Sequence, residues 1–250
     1  MSEGIRVLLL GGTSEARQLA ARLQDTSVRA VSSLAGRVER PRLPVGPVRI
    51  GGFGGVVGLR TWLREHRIEA VVDATHPFAE TMSAHAVAAC SAEGLPLLRL
   101  ARPGWSDEPG SDDWHWVDSH DGAAVTAASL GRRPFLTVGR QSLDRFVGPL
   151  AGRRAVVRVV DPPEVAVPGP WLVLMDRGPY DFAGELELMA EHGVDVLVSK
   201  DSGGTYTWPK MAAAGQLGVP VVVVRRAASS HAVDTVADAV SAVEWLERIR

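Results

Sequence analysis

The chain has 250 residues, 46% of them hydrophobic and 22% charged, with a formal net charge of −2. That length holds one large or two small globular domains, and the near-neutral charge excludes the global basic field that gathers on nucleic acid. A single cysteine, Cys90, excludes an intrachain disulfide or a cysteine-based metal centre, and no apolar run approaches the roughly 20 residues that span a bilayer.

Short apolar runs alternate with helical patterns almost from end to end. Strands are expected at 5–10, 28–33, 47–50, 69–74, 95–100, 113–117, 134–138, 154–160, 171–174, 194–199 and 219–225. Helices are expected at 14–24, 56–66, 78–92, 120–130, 141–147, 182–192, 208–217 and 233–248. This alternation predicts an α/β protein of two tandem Rossmann-like domains, with mainly parallel sheets and a ligand cleft between them. The aperiodic stretch "RLARPGWSDEPGSDD" places the boundary near residue 98, giving domains 1–98 and 99–250. Arg102 and Trp105 in it would pack the seam. No sequence repeat or low-complexity segment is evident. The amphipathic C-terminal stretch should pack on its own sheet, so a monomer or weak homo-oligomer is expected. With no secretion-type leader before the first strand and one cysteine of buried type, a cytoplasmic location is expected, with no membrane partner.

The first strand runs into Gly11, Gly12, Thr13, Ser14, Glu15 and Ala16 and then a helix. Glycines there permit a close backbone approach, and a helix N-terminus presents free N–H groups and a positive dipole end to a pyrophosphate. An ordinary capped helix after a glycine turn reads equally well. The third glycine of G-x-G-x-x-G is replaced at Ala16 or its neighbour, and the Walker lysine is missing, which excludes a P-loop. The second strand ends in Ser32 and Ser33, followed by Arg37, with no carboxylate to take a ribose 2′-hydroxyl. Two hydroxyls and a guanidinium suit a 2′-phosphate, so the expected cofactor is NADPH and residues 1–98 form the NADP-binding domain. In "GGFGG", Gly52 and Phe53 would meet a flat ligand. In "VVDATHPFA", Thr75 and His76 would sit at the carboxyl edge of the sheet beside the first loop, with Pro77 in the first helical turn.

The second half repeats this grammar. "TVGRQSL" offers Gly139, Arg140, Gln141 and Ser142 after a strand, and "SKDSGGTYTWPK" offers Lys200, Asp201, Ser202, Gly203, Gly204 and Thr205. The chain has 25 arginines and only two lysines, Lys200 and Lys210, both in the last segment. A surface ion pair next to a turn is the plain reading. Lys210 is expected to be solvated at the start of the next helix. Arg177, Tyr180, Arg225 and Arg226 are secondary candidates. No HExxH or paired-histidine motif occurs, so no metal is expected.

Taken together, "LLLGGTSEARQLA", "SSLAGR", "GGFGG", "VVDATHPFA", "TVGRQSL" and "LVSKDSGGTYTWPKMAAAGQLGVPVVVVRR" resemble the precorrin-6A reductase family of cobalamin biosynthesis. The blocks fall in order from residue 8 to residue 226. The resemblance implies NADPH-dependent reduction of one double bond of a strongly anionic tetrapyrrole, precorrin-6A, giving precorrin-6B. A cobalt-containing substrate is the alternative within the family. Outside it stand an NADP-linked reductase or epimerase of another anionic small molecule, and a non-catalytic nucleotide- or tetrapyrrole-binding module. On this resemblance Lys200 takes a substrate carboxylate or charge developing in the ring, and Asp201 is a proton donor. Gly52, Phe53, residues 139–142 and Ser202 to Thr205 then bind the substrate.

Overall fold

The computed structural model describes residues 4–36, 39–227 and 233–249. The chain divides into two compact units, residues 1–103 with 228–250, and residues 104–227. The first unit opens with β1 (Arg6–Leu10), α1 (Ser14–Arg22), β2 (Arg29–Leu34), β3 (Val48–Ile50), α2 (Gly55–Glu65), β4 (Ala70–Asp73), α3 (Glu80–Glu93) and β5 (Leu97–Leu100). The second holds β6 (His115–Val117), α4 (His120–Leu130), β7 (Pro134–Leu136), α5 (Asp144–Val147), β8 (Val156–Val159), β9 (Leu172–Met175), α6 (Phe182–Glu191), β10 (Val196–Lys200), α7 (Pro209–Leu217) and β11 (Val221–Val224). The chain then returns to the first unit as β12 (Asp234–Val236) and α8 (Ala239–Arg248). Among the described residues no helix is long and apolar enough to cross a membrane.

Every strand pairing is parallel. The first sheet has the order β3-β2-β1-β4-β5-β12. This is the 3-2-1-4-5-6 order of a dinucleotide-binding sheet, whose strand order reverses between β1 and β4. The second sheet has the order β9-β8-β7-β10-β11-β6. It follows the same order with one permutation: its sixth strand comes before the other five in the chain, not after them. Its reversal lies between β7 and β10.

The permutation corrects two expectations. Residues 99–250 do not all belong to the second unit, because β12 pairs with β5 (Asp234↔Leu98, Val236↔Leu100) and completes the first sheet. The segment expected as one helix over 233–248 is this strand followed by α8. The break is set by Asp238, whose carboxylate caps the N–H groups of Val240 and Ser241 at 2.8 and 2.9 Å. A cut at 98 would also divide β5.

Alternation along β1 builds the first core. Val7 and Leu9 pack with Leu19 of α1 and Leu246 of α8, while Leu8 and Leu10 pack with Leu59 of α2 and Ala86 of α3. A strand buried on both faces must be apolar throughout, which is why "VLLL" reads as a continuous run. In the second unit Phe135, Leu197 and Val223 share a core with Trp105, Met189 and Met211. The helix expected at 141–147 is a 3₁₀ turn at Arg140–Ser142 followed by the single-turn α5.

Candidate functional site

In the first unit two loops leave the sheet where its order reverses. Thr13 caps α1, accepting from the Ala16 N–H at 3.1 Å and donating to the Ala74 carbonyl at 2.8 Å. Of its two expected uses, phosphate donor or helix cap, the Thr13 hydroxyl takes the cap, and it also ties the β1 loop to the β4 loop. What remains for an anion is the backbone. Gly12 has φ +117°, and a Cβ there would meet nothing within 4 Å, so the turn faces open space. The first-turn N–H groups that Thr13 leaves over point the same way. Ala16 is buried at 3% exposure, with its Cβ 3.4 Å from where a Gly11 Cβ would stand. It fills the third-glycine position, where only a small residue lets helix and strand approach. Glu15 accepts from Arg102 at 2.6 Å and from the Ser14 hydroxyl at 3.1 Å. A bare carboxylate at this helix end would repel a phosphate, and Arg102 neutralises it.

The β4 loop is organised by Asp73, which is 2% exposed. It accepts from the Thr75 N–H at 3.0 Å and the Thr75 hydroxyl at 2.7 Å, and pairs with Arg99 of β5 at 2.5 Å. Arg99 also donates to the Thr75 hydroxyl and carbonyl and to Ser83. Thr75 is thus held inward as part of this network. Asp73 is an acid ending an otherwise apolar strand, the sequence mark of a buried pair, and Arg99 is its partner. His76 accepts from the Phe78 N–H through Nδ1 at 3.2 Å, which puts a neutral ring's proton on Nε2. Pro77 lies in a turn, not in the first helical turn, because α3 starts only at Glu80.

At the outer side of the same sheet, Ser32 and Ser33 are buried at the end of β2. Arg37 lies outside the described residues. The cation found beside Ser33 is Arg49 of β3, which donates to the Ser33 hydroxyl at 2.9 Å and to the carbonyls of Gly51 and Gly52 at 2.9 and 3.1 Å. Its guanidinium lies 3.8 Å from the Phe53 ring centroid. Gly52 and Phe53, expected on the substrate, are here neighbours of the β2 end.

In the second unit the loops after β7 and β10 flank the corresponding reversal. Thr137 donates to the Val198 carbonyl at 3.0 Å, and Gly139 has φ +81°. A Cβ on Gly139 would stand 3.6 Å from the Lys200 Nζ, so the two expected loops do meet. Burial lowers the Lys200 pKa from its ordinary 10.5 to about 8. His120, at the start of α4, is pushed below its ordinary value by burial and then by the Lys200 charge. It was not expected, and only the three-dimensional neighbourhood reveals it. Arg140 turns toward Glu164 at 3.4 Å and the Pro162 carbonyl at 3.5 Å, Gln141 is exposed and Ser142 closes the 3₁₀ turn.

Asp201, expected as a proton donor, has a partner on each carboxylate oxygen. One oxygen accepts from the Trp105 N–H at 3.0 Å and the other pairs with Arg226 at 3.3 Å. Gly104 lies so close that a Cβ on it would be 2.6 Å from the carboxylate. With both oxygens committed to donors, Asp201 fixes the loop in place. Gly203 and Gly204 both take left-handed backbone, Gly204 accepts from the Trp105 indole at 3.0 Å, Ser202 is buried and Thr205 is exposed. Lys210 is not solvated: it is 4% exposed, donates to the Thr207 carbonyl at 2.8 Å and lies 5.0 Å from the Trp105 ring centroid. Among the described residues no group of three or more His, Cys, Asp or Glu is placed to hold a metal.

A family model described as "Precorrin-6x reductase CbiJ/CobK" matches residues 6–247. The "Precorrin-6A reductase" of Rhodococcus erythropolis is 50% identical over 242 residues, covering 96% of this chain and 97% of that protein. The "Cobalt-precorrin-6A reductase" of Priestia megaterium is 30% identical over 235 residues, covering 88% of this chain and 90% of that protein. The solved structure "CobK precorrin-6A reductase" superposes with a TM-score of 0.90 at 38% identity, covering 98% of this chain and 96% of that one.

Proposed function

The chain belongs to the precorrin-6x reductase family, oxidoreductases of cobalamin biosynthesis that use a nicotinamide cofactor, and on that premise we propose that it reduces precorrin-6A to precorrin-6B with NADPH. The observation that carries the proposal is the pairing of two loop sets at two strand-order reversals. One set is built for a pyrophosphate, and the other carries Lys200.

In this reading the Gly11–Gly12 turn and the N-terminus of α1 hold the pyrophosphate through backbone N–H groups, while Thr13 and the Asp73–Arg99 pair keep the turn rigid. The end of β2 lacks a carboxylate, which favours a 2′-phosphate over a free ribose hydroxyl. Bound NADPH supplies the hydride. Lys200 meets a substrate carboxylate, and with a pKa of about 8 it is also the group best matched to hold or give a proton near neutral pH. Asp201 and Arg226 hold the lysine's loop in position. The metal-free substrate is favoured over the cobalt form by 50% against 30% identity to relatives so named. Use of a reduced nicotinamide and a single buried thiol support a cytoplasmic setting.

The test is NADPH oxidation on adding precorrin-6A, with mass spectrometry showing a product heavier by two hydrogen atoms. Binding of tetrapyrrole without NADPH oxidation would leave a binding module in its place.

A further inference from the structure

Resting on the NADPH reading above, we propose that Arg49 is the residue that reads the 2′-phosphate and so sets the preference for NADPH over NADH.

Its partners carry the argument. Arg49 is partly buried at the carboxyl end of β3, alongside the end of β2, and all its hydrogen-bond acceptors are neutral: a hydroxyl and two backbone carbonyls. Among the described residues no carboxylate pairs with it. Three other partly buried arginines of this unit do pair with a carboxylate: Arg60 with Glu93, Arg99 with Asp73 and Arg102 with Glu15. Burial alone holds the Arg49 pKa below its ordinary value, with no acidic neighbour to raise it. A desolvated cation with no counter-charge among the described residues is suited to receive one from a ligand.

Geometry restricts which ligand. In sheets of this strand order the adenine ribose lies over the end of β2, where a carboxylate would take the 2′-hydroxyl. Here Ser33 occupies that end and donates nothing acidic; its hydroxyl instead holds the guanidinium at 2.9 Å. Three of the five Arg49 N–H groups are directed at Ser33, Gly51 and Gly52, which leaves the fork's remaining N–H groups for a phosphate. Phe53 lies 3.8 Å from the guanidinium carbon and packs edge-on against Trp62, so the plane of the fork is fixed before a ligand arrives. Next to it, Gly51 at φ +120° and Gly52 present backbone where a Cβ would meet nothing within 4 Å, leaving room for a bulky anion.

The experiment is calorimetry with NADPH, NADH and 2′,5′-ADP on the wild-type chain, Arg49→Met and Arg37→Ala. Arg49→Met should weaken NADPH and 2′,5′-ADP at least tenfold and leave NADH unchanged, NADH binding doubling as the check on folding. Should that variant unfold, Arg49→Gln retains a donor for Ser33 without the charge, and the same selective loss is expected. A wild-type NADPH preference that survives both Arg49 variants but is lost in Arg37→Ala overturns this inference alone. A wild-type chain that binds neither nucleotide, or prefers NADH, overturns the cofactor reading and this inference with it.

Discussion

Lys200 is one of only two lysines in the chain, which makes its charge state directly measurable. Burial brings its pKa from 10.5 to about 8, a shift equivalent to about 3 kcal/mol against the charged form. The folded chain releases the proton near pH 8 and the unfolded chain only near 10.5. Between those values the unfolded state binds more protons, so this residue makes stability rise with pH. Below pH 8 the unfavourable contribution is present in full. Lys200→Met should therefore gain stability relative to wild type at pH 7, by about 3 kcal/mol, and the gain should shrink as pH passes from 8 to 10.5. Urea unfolding at several pH values measures the difference. NMR of ¹³C-methylated lysines gives the titration itself, with Lys200 expected to show a midpoint near 8. In Lys200→Met the His120 midpoint should move up as the neighbouring positive charge is lost. A Lys200 midpoint near 10.5, or a pH-independent stability difference, would refute the claim that burial at this loop sets the charge.

Three further outcomes are expected. Asp73→Asn leaves Arg99 without its counter-charge in a mostly buried network, and should cost about 3 kcal/mol in urea unfolding as well as weaken nucleotide binding. Cys90 is 2% exposed, with its pKa raised to about 12 by burial and then by Asp73. Its thiol should ignore a disulfide reagent at pH 8 in the folded chain and react once in denaturant; rapid reaction of the native protein would contradict the packing. Trp245→Ala removes a side chain that packs among Leu19, Leu23 and Leu98 and donates to Asp234 at 3.0 Å. It should cost about 3–5 kcal/mol by thermal or urea unfolding. Little change there would mean that α8 does not seal the first core.

Most of the fold was legible because its strands are continuous apolar runs and its helices begin at recognisable caps. Thr13, Ser119 and Asp181 each bond the first turn of a helix as their types predict. β12 was missed because three residues, Asp234 to Val236, run straight into an alanine-rich helical pattern, and pairing with β5 is a long-range fact with no local trace. The loops of the site were legible because they sit where strand ends meet glycines. The roles inside them were less so. Thr75 and Asp201 suit a ligand by residue type, yet they turn inward to satisfy backbone and guanidinium groups. A buried polar group must find a partner, and in a tight loop the nearest partner is the loop itself. Arg49 went unnoticed because it lies two residues before the glycines that drew attention.

The two sheets share a strand order but would offer an anion different groups, and the difference follows from what comes after the strand at each reversal. In the first unit β1 is followed by the nine-residue α1, long enough for its aligned peptides to present a positive end and several free N–H groups. Side-chain charge there is cancelled, with Glu15 against Arg102 and Asp73 against Arg99. A pyrophosphate held at this turn, as proposed above, would meet backbone alone, which suits a cofactor of fixed shape. In the second unit β7 is followed by a 3₁₀ turn and the four-residue α5, too short to build a comparable dipole. An anion at that reversal needs a side-chain cation, and Lys200 is the one placed there, against the glycine that makes room for it. A flexible ammonium on a fixed strand can follow a carboxylate on a mobile acetate or propionate arm, where a rigid ring of N–H groups would not.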